Sequence, residues 1–247
     1  MSFTINVIGT GSAGNAVVID NALMIDAGLP VRELKEHLAT VSAVFVTHQH
    51  GDHIRPAVVN HLARHRPVLL QRRFFVNEST RTSLQVSLPK QVHTLAGCPS
   101  IDGHGWRTSI TTPSGTSYGI EAFRLVHDVE NYGFVVTRGD GHRLIYATDT
   151  ETMRYAPPGP FDAILVEGNW DEDKFTEMIR SHDLHVQQRA LQNLRHMSVQ
   201  KFEEFVNRNG HADTVSYQMH VSDDLGSRAL VGTDFTTERL KGRLQVV

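Results

Sequence analysis

The chain has 247 residues, 40% of them hydrophobic and 21% charged, an ordinary globular balance that suits one large α/β domain or two small ones. Its one cysteine, Cys98, excludes a disulfide framework and a Cys-type zinc site. With 24 basic and 27 acidic residues the net charge is −3, which argues against the basic excess of proteins that grip long nucleic acids.

Residues 3–8, 16–19 and 23–25 read as three short strands. Between the first two, Gly9-Thr10-Gly11-Ser12-Ala13-Gly14 fits the G-x-G-x-x-G pattern of dinucleotide sites. That pattern needs a helix next, so that a helix N-terminus faces the pyrophosphate. Ala16-Val17-Val18-Ile19 reads instead as a strand, so the glycines mark a turn. Residues 31–38 look helical. The apolar run Ala43-Val44-Phe45-Val46 then delivers Thr47-His48-Gln49-His50-Gly51-Asp52-His53. His48 and His50 are two apart and point the same way in an extended chain. Gly51 lets the chain turn back before Asp52 and His53. One loop thereby offers ligands to one metal and to a neighbour, and imidazole with carboxylate suits Zn2+, with Mn2+ or Fe as rarer choices.

Beyond the motif, residues 57–65 read as a helix and 67–70 as a strand. Arg64, Arg66, Arg72 and Arg73 make a short basic cluster that reads as solvated surface. Residues 98–118, rich in Gly, Ser, Thr and Pro, form either a surface hairpin or a lid near a site. The run 120–126 ends at His127. Residues 132–137 and 143–147 flank Gly139-Asp140-Gly141 as a hairpin, and Asp149 follows its second strand. Residues 163–166 read as a buried strand. Amphipathic helices over 184–194 and 199–208 precede a strand over 215–219 that ends at His220.

The motif at 48–53 resembles the His-x-His-x-Asp-His signature of the metallo-β-lactamase-fold hydrolases. The resemblance implies an αββα sandwich, an α/β fold, as a single hydrolase domain over residues 1–247. It also implies a dinuclear centre. His48, His50 and His127 match the ligands of the first metal, Asp52, His53 and His220 those of the second, and Asp149 the bridging carboxylate. Two Zn2+ are expected, with Mn2+ as the substitute. The glycine turn before Asn15 and the segment Met24-Ile25-Asp26-Ala27-Gly28 resemble a short-form branch of the family, in which Asp26 orders the motif loop.

The fold hosts many chemistries, so the branch decides the reaction. Glu167-Gly168-Asn169 resembles the Glu-x-Asn segment of the short branch, and His196 resembles the extra histidine of its phosphodiesterases. An alkoxide leaving group needs a proton donor. His196 is the expected donor, Glu167 orients it and raises its pKa, and Asp52 with the metals positions the attacking hydroxide. Arg189 or Arg195 is a candidate for assisting the phosphate. His127-Asp128-Val129-Glu130-Asn131-Tyr132-Gly133 and Tyr146-Ala147-Thr148-Asp149-Thr150 resemble bacterial and phage enzymes that hydrolyse cyclic mononucleotides, including the anti-Pycsar proteins that erase immune signals. Cytosolic DNA exonucleases of the same branch share the glycine turn and the His-x-Ser element. The acidic balance favours the small cyclic nucleotide, with DNA as the alternative substrate and a non-catalytic metal-binding scaffold as a further alternative. A homodimer is expected from the family. Apolar runs of about five residues are too short to span a membrane, and the N-terminus lacks a secretory pattern. The expected location is therefore the cytoplasm, a host's if the chain is phage-encoded.

Overall fold

A computed structural model describes residues 2–64, 73–84, 92–95, 106–221 and 244–245. Two sheets face one another. The first runs in sequence order through β1 (Ile5–Gly9), β2 (Ala16–Ile19), β3 (Leu23–Ile25), β4 (Ala43–Phe45), β5 (Arg73–Val76) and β6 (Val92–Thr94). The second contains β7 (Arg107–Thr111), β8 (Ser117–Arg124), β9 (Tyr132–Arg138), β10 (Arg143–Ala147), β11 (Ala163–Glu167), β12 (Val215–Met219) and β13 (Leu244–Gln245), in the spatial order β13-β12-β11-β10-β9-β8-β7.

The inner strands, such as β2, β3, β4 and β11, are apolar on both faces because both faces are covered, whereas β7 and β8 alternate with exposed polar residues. On β2, Val17 and Ile19 enter the core between the sheets, while Ala16 and Val18 enter a second core under α1 (Val31–Thr40) and α2 (Pro56–Arg64). On β11, Ala163 and Leu165 face the central core. Ile164 and Val166 face a third core, to which α6 (Val199–Asn209) contributes Phe202. Four layers result, the αββα sandwich that the motif implied. Stacked Phe45 and Phe75, with ring centroids 4.7 Å apart, and tilted Phe134 join the two sheets at the centre.

Among the described residues, two helices were not read from the sequence, and a third falls where a helix was expected over 184–194. The unread ones are α3 (Glu78–Ser83) and α4 (Glu172–Ile179), and the expected one is α5 (Leu184–Asn193). Asn77 caps α3, and Asp171 caps α4 by accepting from the Asp173 and Lys174 amides. The strand expected over 67–70 lies outside the described residues. So do Arg66 and Arg72 of the basic cluster around it. Of the segment 98–118, the described part forms β7, a turn and the start of β8. That turn sits at the end of the sandwich opposite the expected ligands, because β8 runs toward His127 from it.

Strand direction positions the chemistry. β3, β4 and β5 are parallel, and β10, β11 and β12 are parallel. Their C-terminal ends deliver Asp26, Thr47-His48, Asn77, Asp149, Glu167 and His220 to one edge of the sandwich.

Candidate metal centre

Asp26 and Thr47 set the motif loop. Asp26 is buried with φ 60°, in the left-handed region that an Asp side chain tolerates. Its Oδ1 accepts from the Thr47 amide at 2.9 Å, and its carboxylate accepts from Thr47 Oγ1 and from Tyr146 Oη at 3.1 Å. His53 Nδ1 lies 2.8 Å from Asp26 Oδ2, and His48 Nδ1 lies 3.0 Å from Thr47 Oγ1. A carboxylate accepts, and the Thr47 proton goes to it. Both histidines therefore carry their proton on Nδ1 and turn the Nε2 lone pair inward. Gly28 lets the Asp52 backbone approach, since a Cβ there would overlap the Asp52 carbonyl.

Four groups of potential ligand atoms lie within 4.8 Å of one another among the described residues. The first is His48, His50 and His127. His48 Nε2 is 3.0 Å from His50 Nδ1, which is 3.4 Å from His127 Nε2. Burial first, then the neighbouring imidazoles, lowers the pKa of His48 and His127. They are neutral, the form that binds metal. Lone pairs that converge this closely need a shared proton or a cation between them.

His48, His53 and Asp149 form the second group, and Asp52, His53 and His220 the third. Asp149 has φ 54° and His220 φ 53°. His53 Nε2 lies 2.6 Å from Asp149 Oδ2, yet that buried oxygen has no aligned hydrogen-bond donor. Two groups that face a common point, rather than each other, have this geometry. Asp149 Oδ1 lies 3.4 Å from His220 Nε2. Burial opposes charge on His53 and His220, but their carboxylate partners outweigh it and raise both. A positive charge is thus favoured between these residues. The donor set of imidazole and carboxylate fits two adjoining cation sites joined at Asp149, and the clusters can bind metal ions.

The fourth group joins Asp149, Glu167, His196 and His220. Buried Glu167 Oε2 accepts the Thr150 amide at 2.7 Å. Its Oε1 stands 2.7 Å from His196 Nδ1 and 3.0 Å from His220 Nδ1. One carboxylate oxygen thus orients two imidazoles, stacked at 5.1 Å. It leaves Nε2 of each available. Burial opposes charge on His196, but Glu167 and then Asp149 raise its pKa to about 9. Arg195 is exposed, 3.9 Å from Asp128 at the rim, and Arg189 is an exposed residue of α5.

Four buried asparagines were given no role in the sequence reading, although Asn15, Asn131 and Asn169 lie in or beside segments it singled out. Asn15 Nδ2 donates to the Asp52 carbonyl at 3.2 Å, and Asn77 Nδ2 to the Thr47 and Glu130 carbonyls. Asn131 Nδ2 donates to the Thr148 and Asp149 carbonyls, and Asn169 Nδ2 to the His220 carbonyl at 2.7 Å. Each clamps a loop that carries a candidate ligand. The available signal was an Asn at a strand end or inside a motif segment.

The chain matches the family described as Beta-lactamase superfamily domain over residues 18–216. It is 27% identical over 240 residues to the exodeoxyribonuclease WalJ of Streptococcus pneumoniae serotype 2, covering 91% of this chain and 83% of that protein. It is 24% identical over 213 residues to the exodeoxyribonuclease YycJ of Bacillus anthracis, covering 80% and 74%. Among solved structures, the metallo-beta-lactamase fold protein YhfI from Bacillus subtilis aligns with TM-score 0.66 at 16% identity, covering 98% of this chain and 95% of that one. The short form of human tRNase Z aligns with TM-score 0.61 at 16% identity, covering 89% and 93%.

Proposed function

Because the chain belongs to the β-lactamase superfamily, we propose that it is a metal-dependent phosphodiester hydrolase that acts on DNA. One observation carries the reading: two ligand clusters meet at Asp149, with the His196–Glu167 pair beside them. The relatives named exodeoxyribonucleases, matched over most of both chains, support DNA as the substrate.

His48, His50 and His127 would hold one cation and Asp52, His53 and His220 the other, with Asp149 available to both. Zn2+ fits this donor set and Mn2+ is the substitute. When bound, such a pair polarises phosphoryl oxygens and lowers the pKa of water toward about 7. The chain's own residues do the rest. Asp26 and Thr47 fix the His48 and His53 tautomers. Asp52, partly exposed beside His53, accepts a hydrogen bond from the attacking water and orients it. His196 holds a proton on Nε2 and delivers it to the leaving oxygen, while Glu167 stabilises the charged imidazole.

A second reading is hydrolysis of a cyclic mononucleotide. The net charge of −3 favours it, because a small ligand needs no basic surface. A hydrolysis panel with Zn2+ or Mn2+ separates the two: single- and double-stranded DNA, RNA, cyclic mononucleotides, cyclic dinucleotides and a β-lactam. Release of nucleotides from DNA ends is expected, with no β-lactam turnover. Cyclic mononucleotide cleavage with intact DNA would install the second reading. A protein that binds metal and cleaves nothing on the panel would be the non-catalytic scaffold.

A further inference from the structure

A cleft of about 500 Å³ lies on the outer face of the second helical layer, between the loop after β10 and α6. Both walls run the length of the sheet. The loop leaves the metal-centre edge at Asp149 and reaches the opposite edge at Phe161, whose amide donates to the Asn209 carbonyl at the end of α6. The helix starts at the metal-centre edge, where Ser198 bridges to Trp170. The upper end of the cleft is thus Thr152 and Met197. Met197 follows His196, and Thr152 lies three residues after Asp149.

Its charge departs from that of the whole chain. Arg154, Lys201 and Arg208 line it with a single carboxylate, Glu204, which pairs with Arg208 at 2.6 Å. Met153, Met197 and Phe205 supply an apolar floor. Tyr155, flanked by the lining residues Arg154 and Ala156, is 43% exposed, and the Arg154 guanidinium lies 4.5 Å from its ring centroid. Lys201 and Arg208 are seven residues apart on one helix, about 10 Å at 1.5 Å per residue. That matches about three stacked nucleotides at about 3.4 Å each.

We propose that this cleft is the track for single-stranded DNA leading from the metal centre. The three cations carry the phosphates, and Tyr155 with the apolar floor stacks the bases. A cationic groove with an exposed aromatic is how strands are held without sequence preference. The proposal rests on the phosphodiesterase reading and names its substrate. It also reconciles a polyanionic substrate with a negatively charged chain, because the positive charge is local.

The test uses metal-loaded protein and a fluorescent, hydrolysis-resistant phosphorothioate deoxythymidine 12-mer, with binding read by anisotropy at 50 and 200 mM salt. Bis(p-nitrophenyl) phosphate hydrolysis serves as the readout of the metal centre. In the R154A/K201A/R208A variant the slope of log affinity against log salt should be shallower by about 2, at about 0.7 per lost contact. Between the two salt concentrations the wild type should then lose about 20-fold more affinity than the variant. Tyr155→Ala should weaken binding about tenfold, and Glu204→Gln, which frees Arg208, should tighten it. All variants should keep wild-type hydrolysis of the small ester. A wild-type salt slope in the triple variant, with unchanged Glu204→Gln binding, would overturn the track. Wild-type protein that cleaves the small ester but binds no strand would overturn the track and leave the phosphodiesterase reading standing. Protein that does neither would remove both.

Discussion

His196 is the residue on which the proposed chemistry turns. Its Nδ1 is committed to Glu167 at 2.7 Å, so its loss removes a proton donor and leaves the converging ligand atoms in place. His196→Ala should therefore retain metal. It should lower turnover of an unactivated phosphodiester about 10²- to 10⁴-fold, the usual worth of a positioned acid. On bis(p-nitrophenyl) phosphate the loss should shrink, because that leaving group needs no proton. Equal losses on both esters would make His196 a substrate-positioning or structural residue. Asn131 acts at one remove. It holds the carbonyls of Thr148 and Asp149, the latter in a left-handed backbone that costs about 1–2 kcal/mol. Asn131→Ala should cost about 2 kcal/mol of stability for two buried hydrogen bonds. It should also weaken metal retention at both sites, because Asp149 serves both. Chelator competition reads this, and unchanged retention would remove Asn131 from the positioning scheme.

At the scale of elements, the parallel strands do the positioning, and their far ends must be held in register. Asp162, one residue before β11, accepts from the Arg143 amide at 2.7 Å and lies 2.8 Å from His142 Nδ1 and 3.5 Å from His211 Nε2. Partial burial opposes its charge, but the Arg143 amide and the His142 ring outweigh it and lower its pKa. The unfolded chain binds the proton more readily, so this carboxylate stabilises the fold above about pH 4. The contribution is lost as pH falls through the lower folded value. Asp162→Asn should destabilise by about 1 kcal/mol at pH 7, with a gap to wild type that narrows below about pH 4. A gap that stays constant down to pH 3 would dissociate Asp162 from the acid response. Elements of this kind were unequally legible. Strands such as 16–19 and 163–166 are visible because burial on both faces demands continuous apolar runs. The His48–His53 loop is visible because its spacing is local, and His127, Asp149 and His220 because each follows such a run. The helix α4 buries no residue fully, and its apolar stripe is only Phe175, Met178 and Ile179 within eight residues, too short to stand out. The strand β5 is four residues long and starts with a charged residue, so its three apolar residues are too few to mark a strand on their own. The asparagine clamps stayed hidden because their partners are carbonyls up to 53 residues away. Carbonyls have no residue identity for a pattern to detect.

On the scale of the whole molecule, the sandwich brings ligands from both sheets to one edge, and Asp149 stands where the two sets meet. His48, His50, Asp52 and His53 come from the first sheet's loops, and His127, Asp149 and His220 from the second's. Neither half makes a complete site alone, so metal binding should stabilise the packing of the sheets. A chelator should then lower the melting temperature, and restored Zn2+ or Mn2+ should recover it. An identical melting temperature with and without metal would mean that the sheets hold their edge without it. The central claim is that this edge is a dinuclear centre with Asp149 at its middle. Elemental analysis of fully loaded protein tests it most directly. The account predicts about two metals per chain, about one after His48→Ala, and weakened occupancy of both sites after Asp149→Ala. At most one metal per chain in the loaded wild type would contradict it.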